Sequence, residues 1–444
     1  MSIEKILENE LCTGCGVCIS EDKSKTAKMV WNDSNFLVPK LTELSTSNEM
    51  YSVCPFNPNL KNEDALGKIL FQRTSGNYND RIGFYDGLYA GYSNKYRETS
   101  SSGGIATYIF EKIINNKIAD HLFIVQESFD GFEYKLCSDI EDIRKISKTR
   151  YMPVTLEKLF TEIDNIDGKV AVSGVSCFVK AIRLKQEKQP YLKEKISFVV
   201  GIICGGLKSK YYTDFLAQSA GCSSEYSSVQ YRVKNVKSFA LDYKFSCKEK
   251  DNGRIHMVDM LSLGDMWGTG LFKSNACDFC DDVMNELADI SLGDAWIEPY
   301  DKSGSGNSVI ITRSILANNL VQKGIKSEEL TLNNLSIEKT IQSQSGSFNH
   351  RHKGLFYRIN RFSDKNMIKK RERFISKQNI LWNLVQSQRI ETREKSLLYW
   401  KSTQNVYEFN KLMQPLTIKL KLYNKIHNKI MGLINIFNNK LGGK

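Results

Sequence analysis

The sequence predicts a mixed α/β core domain, with a small cysteine-rich module before it and a helical basic tail after it. Three observations favour this organisation. Short β-rich runs alternate with helical runs in the middle of the chain, four cysteines lie near its start, and from His350 onward 21 Lys and Arg residues face 5 Asp and Glu. The 444 residues, 41% of them hydrophobic and 25% charged, provide enough apolar material for two or three domains.

The first cysteine set lies near the N-terminus and consists of Cys12, Cys15, Cys18 and Cys54. Three cysteines at C-x2-C-x2-C spacing, followed by a separate Cys-Pro pair, form the ligand pattern of a ferredoxin-type [4Fe–4S] cluster. Gly14 and Gly16 lie between the first three and allow backbone N–H groups to approach the sulfurs. The alternative is a zinc knuckle, but such sites usually pair two C-x2-C hooks. The pattern therefore predicts an iron–sulfur cluster and a role in electron transfer.

Strands and helices alternate through the middle of the chain. Apolar residues return every three or four positions, which predicts helices, at Ile105–Ile114, Thr155–Ile166 and Cys177–Glu187. Short apolar runs predict buried strands at His121–Val125, Lys169–Gly174, Ile196–Cys204 and Ser308–Thr312. This alternation is typical of a mixed α/β domain.

A serine- and glycine-rich segment precedes the first of these helices and supplies the candidate ligand-binding residues Ser101, Ser102, Gly103 and Gly104. Hydroxyl groups, unhindered backbone amides and the positive end of a helix suit a phosphate group of a nucleotide or flavin. The alternative is a serine-rich N-cap that serves the helix alone. The segment Gly174–Cys177 has the same two interpretations.

The second cysteine set is dispersed along the chain and consists of Cys177, Cys204, Cys277 and Cys280. Two of these cysteines follow predicted strands, at positions where loops converge in α/β sheets, and the other two form a C-x2-C hook. A second [4Fe–4S] cluster, a structural zinc site and unliganded cysteines are all open interpretations. The remaining Cys137, Cys222 and Cys247 have no ligand-like spacing and are expected to be buried free thiols.

The basic character of the chain is confined to the tail, because residues 1–349 hold 41 Lys and Arg against 45 Asp and Glu. Near the C-terminus, lysines are interleaved with apolar residues at near-helical spacing, at Ile418, Leu420, Leu422, Tyr423, Ile426, Ile430, Leu433, Ile434 and Phe437. Such a helix either rests on an anionic membrane face or packs on its own domain or a partner. Nucleic-acid binding is not expected, since no reader motif accompanies the basic residues.

Cysteine usage predicts the compartment. Eleven cysteines in a chain with no charged-then-apolar leader indicate a reducing environment. We therefore expect a cytoplasmic protein, with peripheral contact to the inner face of the membrane if the tail binds lipid. No apolar run reaches the roughly 18 residues that a membrane span needs.

At its motifs the chain resembles the coenzyme F420 hydrogenase/dehydrogenase beta-subunit family of flavin and iron–sulfur proteins, which includes members from bacterial polysaccharide gene clusters. The resemblance covers roughly residues 5–315. It rests on C-T-G-C-G-V-C with Cys54-Pro55, and on S-S-S-G-G-I-A-T, G-V-S-C-F, I-I-C-G-G and C-D-F-C-D followed by E-L-A-D-I-S-L-G-D-A-W. Five motifs in this order are together highly specific.

The resemblance implies an FAD cofactor near Ser101–Gly104, a [4Fe–4S] cluster at each cysteine set, and a role for Asp289 and Asp294 in orienting the second site. Relatives commonly have a lysine-tyrosine pair where this chain has Arg150-Tyr151, and Arg150 keeps a positive charge that faces a flavin or substrate anion. The predicted divisions are a ferredoxin-like 4Fe-4S module at 1–62, an FAD/iron–sulfur catalytic domain at 80–345 and the basic tail at 350–444.

The predicted function is that of an FAD- and iron–sulfur-dependent oxidoreductase, which moves electrons between the clusters and FAD and on to a small-molecule substrate in polysaccharide biosynthesis. A ferredoxin or another redox protein is the expected partner. One alternative is an electron-transfer subunit whose substrate chemistry lies on another polypeptide. A zinc-stabilised binding protein is the other.

Overall fold

The centre of the protein is an eight-stranded mixed sheet, as seen in a computed structural model that describes residues 2–129, 131–145 and 148–441. Its strand order is β15-β5-β14-β13-β9-β8-β6-β7. The strands of the described chain are β1 Lys28–Trp31, β2 Leu37–Lys40, β3 Asn77–Asn79, β4 Gly83–Tyr85, β5 Gly87–Ser93, β6 His121–Ser128, β7 Gly131–Cys137, β8 Val170–Val175, β9 Ile196–Ile202, β10 Tyr226–Lys234, β11 Tyr243–Glu249, β12 Ile255–Asp259, β13 Ile290–Asp294, β14 Ser308–Thr312 and β15 Leu330–Asn334.

Helices flank this sheet and form most of the C-terminal part. They are α1 Ile3–Glu8, α2 Ser47–Tyr51, α3 Glu63–Phe71, α4 Ile105–Asn115, α5 Ile140–Lys145, α6 Glu157–Glu162, α7 Ser176–Lys188, α8 Leu192–Lys195, α9 Lys210–Ser219, α10 Ile315–Lys326, α11 Ile337–Gln342, α12 Ser345–Phe348, α13 Leu355–Arg361, α14 Ile380–Thr403 and α15 Val406–Leu441. Short 3-10 helices at Val17–Glu21 and Asn275–Phe279 carry cysteines of the two sets.

The middle of the sheet is parallel and almost fully buried. β6 pairs with β8, β8 with β9 and β9 with β13 in parallel, whereas the outer pairs are antiparallel. Strands covered on both faces read as continuous apolar runs, which is why the sequence predicted β8, β9 and β14 closely. The mixed α/β architecture is therefore confirmed, and so are the helices predicted around α4 and α7.

The N-terminal residues do not have a hydrophobic core of their own. Leu11, Val17 and Val53 belong to the same buried apolar cluster as Val199 of β9 and Phe279. The predicted ferredoxin-like module is therefore not confirmed as a separate unit, since its apolar side chains are buried against the main domain. The division at 1–62 stays a prediction.

A second sheet of three antiparallel strands, β10-β11-β12, lies beside α9. Its core is rich in aromatic rings, with Tyr212 and Tyr231 stacked at a centroid distance of 6.4 Å. Cys222 and Cys247 are buried here as free thiols, and Cys137 is buried in β7, as predicted for all three.

The C-terminal residues pack on the domain rather than extending from it. α14 and α15 form an antiparallel helical hairpin whose first residues contact the aromatic core through Trp400 and Phe409. Earlier residues of this region reach the second cysteine set, as described below. In the part of the chain that the structure describes, we find no helix that combines the length and the apolarity needed to span a membrane.

Candidate functional site

The four cysteines of the first set line one cavity. Its empty volume is about 390 Å³, and its walls also include Ile6, Leu11 and Phe56. Cys18 lies in the 3-10 helix Val17–Glu21, and Cys54 follows α2, so the chain folds back by 36 residues to bring the fourth thiol to the other three. The structure thus brings together the predicted ligands Cys12, Cys15, Cys18 and Cys54.

Glycines between these cysteines have a local function. Gly14 and Gly16 have left-handed φ angles of 74° and 73°, which glycine adopts without strain. The resulting turn directs the N–H of Gly14 toward Cys12 Sγ, at 3.4 Å. The backbone therefore supplies a donor to a thiolate, as the sequence predicted.

Burial makes these thiols hard to ionise without a cation. Removal from water raises the pKa of Cys12 to about 12, and it raises the pKa of Cys15, Cys18 and Cys54 as well. A metal that coordinates a thiol deprotonates it outright and compensates this penalty. The donor set of the cavity is therefore suited to a cationic iron or zinc centre.

The second cysteine set also lines a single cavity, although its members are spread over 104 residues. Cys177 is near the start of α7, Cys204 follows β9, and Cys277 and Cys280 belong to or follow the 3-10 helix Asn275–Phe279. All four line an empty volume of about 520 Å³. The Gly206 N–H donates to Cys204 Sγ at 3.2 Å, and the Leu207 N–H donates to Cys277 Sγ at 3.1 Å.

Charged side chains surround this second cavity. Its walls contain the cations Lys180, Arg351 and Lys370 and the anions Glu63, Asp281 and Asp282. Lys180 pairs with Glu63 at 3.1 Å, and an Arg351 Nη donates to the carbonyl of Cys204. Ser176 Oγ is buried with no hydrogen-bond partner among the residues described. The cavity therefore has polar groups available for a bound group.

The two cavities share a wall. Thr13, Pro55 and Phe56 line both of them. The thiols of Cys15 and Cys177 are close enough that the charge of Cys15 raises the pKa of Cys177, after the larger effects of burial and of the other cysteines of the second set. The two predicted metal sites are therefore neighbours in one protein body.

No three His, Cys, Asp or Glu side chains of residues 2–129, 131–145 and 148–441 form a group of the kind that holds one metal ion. Each cysteine set instead surrounds an open cavity.

A segment that we call the C-terminal cover, residues 350–393, closes the second site from one side. It binds the 278–286 segment through the guanidinium groups of Arg351, Arg358, Arg371 and Arg393. Arg371 reaches Asp281 at 3.0 Å and Glu286 at 2.7 Å, and Arg393 reaches Asp278 at 3.1 Å. These arginines were counted in the sequence only as part of a basic tail, because burial cannot be read from charge.

The predicted flavin region lies at the start of α4. Ser101 Oγ accepts the Thr149 N–H at 3.0 Å, and Ser102 Oγ donates to the Asn307 carbonyl at 3.1 Å. Gly104 is the N-cap with φ 78°, and a Cβ at Gly103 would lie 2.7 Å from the Gly91 carbonyl oxygen. Packing therefore accounts for both glycines, and the two serine hydroxyls have protein partners.

A group of cations gathers beside this segment; we call it the basic group, and its members are Arg97, Lys148, Arg150, Arg232 and Lys234. Burial and the charges of Arg232, Lys148 and Arg97 lower the pKa of Lys234 to about 8. Lys234 Nζ donates to the carbonyl oxygens of Ser305, at 2.8 Å, and Ser102, at 3.3 Å. Apart from Arg150, the sequence analysis did not find these residues, which lie far apart along the chain.

The basic group has unused binding capacity. Arg150 packs its guanidinium over the Phe132 ring at 4.6 Å, and its Nε is buried without a hydrogen-bond partner in the described chain. The same holds for Nε of Arg232, whose Nη1 pairs with Asp294 at 2.6 Å. An anion placed here meets several cations against one nearby carboxylate.

Aromatic rings connect the basic group with the second cysteine set. Tyr151 follows Arg150, and its ring lies 4.8 Å from that of Trp267. Trp267 packs on Gly205, the residue after Cys204, so closely that a Cβ at Gly205 would lie 3.0 Å from the indole. The structure thus places the first set, the second set and the basic group in a continuous series.

The two aspartates with a predicted orienting role differ in their surroundings. Asp289 accepts from Arg183 at 3.0 Å and from the Val199 N–H at 2.9 Å, so it joins the sheet to α7. Asp294 belongs to the neighbourhood of the basic group through Arg232. Neither aspartate lines the cavity of the second cysteine set.

Comparison with known proteins identifies relatives of this chain. Residues 88–161 match the N-terminal part, and residues 167–338 the C-terminal part, of the family described as the beta subunit of coenzyme F420 hydrogenase/dehydrogenase. These ranges contain the second cysteine set and the basic group, while the first cysteine set lies before them.

One curated relative and one solved structure extend this comparison. The F-type polypeptide of the F(420)H(2) dehydrogenase of Methanosarcina mazei is 26% identical over 223 residues, which are 49% of this chain and 60% of that protein. The chain therefore matches about 60% of the relative's length. A chain of the F420-reducing [NiFe] hydrogenase complex from Methanosarcina barkeri, studied by xenon derivatization, superimposes with a TM-score of 0.50 and 19% identity. The match covers 65% of this chain and 97% of that one, and it concerns the fold.

Proposed function

Because the chain belongs to the coenzyme F420 hydrogenase/dehydrogenase beta-subunit family, we propose that it transfers electrons between two [4Fe–4S] clusters and a bound FAD. The observation that carries this proposal is the pair of cysteine-lined cavities. Each contains four thiols, and Thr13, Pro55 and Phe56 form a common wall between them. Redox centres on either side of so thin a wall are well placed to exchange electrons.

The size of the cavities favours clusters over single zinc ions. A structural zinc draws four thiolates to about 2.3 Å from one point and leaves a closed site. Here the thiols surround empty volumes of about 390 Å³ and 520 Å³. A cluster in which each thiolate binds a different iron suits such a cavity better. We assign Cys12, Cys15, Cys18 and Cys54 to one cluster and Cys177, Cys204, Cys277 and Cys280 to the other.

The basic group supports the placement of FAD. Its cations, the unpartnered Nε of Arg150 and the N-terminal end of α4 together favour a diphosphate. The serine hydroxyls contribute by fixing the loop rather than by offering free donors. We therefore propose that Arg150 and Lys234 bind the anionic part of FAD, next to Ser101, Ser102, Gly103 and Gly104.

A flavin exchanges electrons in pairs as hydride or one at a time, and iron–sulfur clusters carry them singly. The residues of this chain determine where the centres lie and how easily they are reduced. The N–H groups of Gly14, Gly206 and Leu207 donate to cysteine sulfurs and stabilise added negative charge there. Apolar walls such as Leu11 and Phe56 exclude water, and Tyr151 and Trp267 fill the space between the basic group and Cys204.

The external partner is proposed on the relatives' names. They describe part of a dehydrogenase and part of a hydrogenase complex, so we propose that this chain works as an electron-transfer subunit with a partner protein. F420 is then the first two-electron carrier to test, and ferredoxin the first one-electron carrier. Direct reduction of a small molecule in polysaccharide assembly stays a prediction of the sequence analysis.

Metal and flavin analysis of anaerobically purified protein tests the proposal. We expect about eight irons and eight sulfides per chain, a broad visible absorption band, and FAD in the denatured extract. Zinc without flavin, or about four irons, would contradict it. Cys15→Ala should reduce the iron content to about four per chain, whereas Cys247→Ala should leave it unchanged, because Cys247 is a buried thiol that lines neither cavity.

The flavin site has its own pair of variants. Arg150→Met removes a half-buried cation of the basic group, and we expect FAD to be lost while iron is retained. Arg254→Met removes a cation of the exposed turn between β11 and β12 and should change neither. Retention of FAD by Arg150→Met would place the flavin elsewhere.

A further inference from the structure

The long helix α15 has an apolar stripe that faces solvent. Its inner face packs on the body through Phe409, Met413 and Leu420, which are almost fully buried. Away from that face, six aliphatic side chains are 37% to 59% exposed: Ile418, Leu422, Ile426, Ile430, Leu433 and Ile434. Five of them recur every four residues, so they follow one side of the helix.

Lysines line one edge of this stripe. Lys421, Lys425 and Lys429 each lie three residues after a member of the stripe, and positions three apart are neighbours on a helix. All three are exposed, and the structure gives none of them an ion pair within the residues it describes. The sequence has no Asp or Glu after Glu408. The exposed face therefore combines aliphatic side chains with unneutralised positive charge.

The chemistry of this face selects among possible occupants. A second copy of α15 would set lysines against lysines with no carboxylate on the helix to pair them, so self-association through this face is electrostatically opposed. An anionic lipid surface complements both properties, because aliphatic side chains enter the headgroup boundary while lysines stay with the phosphates. We propose that the outer face of α15 binds flat on the surface of an anionic phospholipid bilayer.

The length of α15 leaves this face accessible. Its 36 residues extend over about 54 Å, against about 36 Å for the 24 residues of α14. The rings of Trp382 and His427 are in contact at 4.9 Å, and Asn379 contacts Met431, so α15 passes the start of α14 soon after residue 431. The binding of lipid by this surface does not depend on the proposed electron-transfer function.

Vesicle flotation of the full chain tests the proposal. The holoprotein is mixed with vesicles of phosphatidylcholine alone, or of phosphatidylcholine and phosphatidylglycerol in equal parts, and recovered from a density gradient. We expect flotation with the phosphatidylglycerol vesicles at low salt, weaker flotation at high salt, and little with phosphatidylcholine. Absence of flotation with both kinds of vesicle overturns the proposal.

Two pairs of matched variants separate charge from apolar contact. Lys425→Gln/Lys429→Gln should weaken partitioning about thirty-fold, since each lysine near an anionic surface contributes about a factor of five. Lys323→Gln/Lys326→Gln removes the same charge from the exposed side of α10 and should bind like the parent. Equal losses in both pairs would show that only net charge matters, which overturns the proposed face.

The apolar contact is tested in the same way. Ile426→Gln/Ile430→Gln should weaken partitioning at least tenfold, whereas Ile255→Gln/Met257→Gln, two similarly exposed side chains of β12, should have no effect. All four side chains are exposed, so iron content and circular dichroism should match the parent. If the α15 variants instead change the oligomeric state in the absence of lipid, the face is an interface between copies and the proposal is wrong.

Discussion

The backbone at Gly16 passes through a left-handed conformation between two cysteines of the first set, and its Cα faces the start of α6. An ideal Cβ at this position would overlap Thr155 Oγ1 and lie 3.0 Å from the Glu157 nitrogen. Thr155 accepts the Glu157 N–H, so it cannot move away without losing a hydrogen bond. This glycine therefore joins the first metal site to α6.

Gly16→Ala should lower the free energy of unfolding by about 3 kcal/mol, through left-handed strain and overpacking together. Gly264→Ala is the matched control, because Gly264 has φ 79° and no atom within 4 Å of its ideal Cβ. It carries the strain alone and should cost about 1 kcal/mol. Chemical denaturation of the two variants measures the difference, and equal losses would contradict the assigned clash.

Asp22 fixes the chain directly after the 3-10 helix that bears Cys18. Its carboxylate accepts the N–H groups of Thr26 and Ala27, both at 2.9 Å, and of Thr46 at 2.8 Å. Burial opposes its ionisation, but these donors outweigh burial and hold the pKa of Asp22 well below its usual value. A depressed carboxyl pKa stabilises the folded state at neutral pH.

The stability due to Asp22 should be fully present above about pH 4, the ordinary carboxyl value, and should be lost as the pH falls further. Asp22→Asn should therefore be less stable than the parent by about 1–3 kcal/mol at pH 7. The difference between the two proteins should shrink below pH 4. Unfolding curves at several pH values measure it, and a difference that grows on acidification would have the wrong sign.

Serine hydroxyls illustrate what residue-level prediction misses. The sequence correctly indicated a helix after Ser100–Gly104, because capping and periodicity are local properties. It did not indicate that Ser101 and Ser102 bind Thr149 and Asn307, which are 48 and 205 residues away. The candidate phosphate donors are thus the cations of the basic group, which only the fold gathers.

At the scale of elements, the C-terminal cover contains ion pairs of very different burial. Arg371 is 1% exposed and contacts Asp281, Glu286 and Asp64. Arg373, two residues later, is 26% exposed and pairs with Asp64 alone. Both are arginines bound to carboxylates in the same segment, so they form a matched pair.

Arg371→Met should destabilise the protein by about 3–5 kcal/mol, because it leaves buried carboxylates without a partner. Arg373→Met should cost at most about 1 kcal/mol, as is typical of a partly exposed pair. Thermal unfolding of both variants, with iron content as a second readout, measures this. Similar losses in the two variants would mean that the cover is not anchored through Arg371.

The element boundaries show where sequence reasoning succeeded. Buried parallel strands and amphipathic helices were predicted because their periodicity is written in consecutive residues, as in β9 and α7. The basic tail was recognised by composition, but the penetration of Arg351 and Arg393 into the second site depends on tertiary packing. Charge counts could not distinguish these buried arginines from the exposed lysines of α15.

At the scale of the whole molecule, one apolar cluster joins the N-terminal residues to the sheet and to part of the C-terminal cover. Ile6 and Val17 belong to this cluster together with Val172 of β8 and Phe374. The second cysteine set was anticipated through the family resemblance, because ligands 104 residues apart have no local spacing. That the two sets share a wall could not be anticipated, since it requires the packing of the N-terminal residues on the sheet.

The holoprotein should unfold in a single cooperative transition that includes residues 1–62. Elements that share one core lose their burial together. Calorimetry of the full chain, combined with loss of the visible absorption of the metal centres, measures this. Two separated transitions, with the N-terminal residues melting first, would show that these residues form an independent module.

The contacts that close the second cavity join the ends of the chain. Arg371 and Arg373 reach Asp64 across 307 and 309 residues. Contacts of such sequence separation form late in folding, and the C-terminal residues leave the ribosome last. Both cysteine sets are complete once Cys280 has been synthesised, about 90 residues before the partners of Asp64. The order of synthesis thus gives the cell's iron-delivery machinery an interval in which every cysteine ligand exists and the cover over the second set does not.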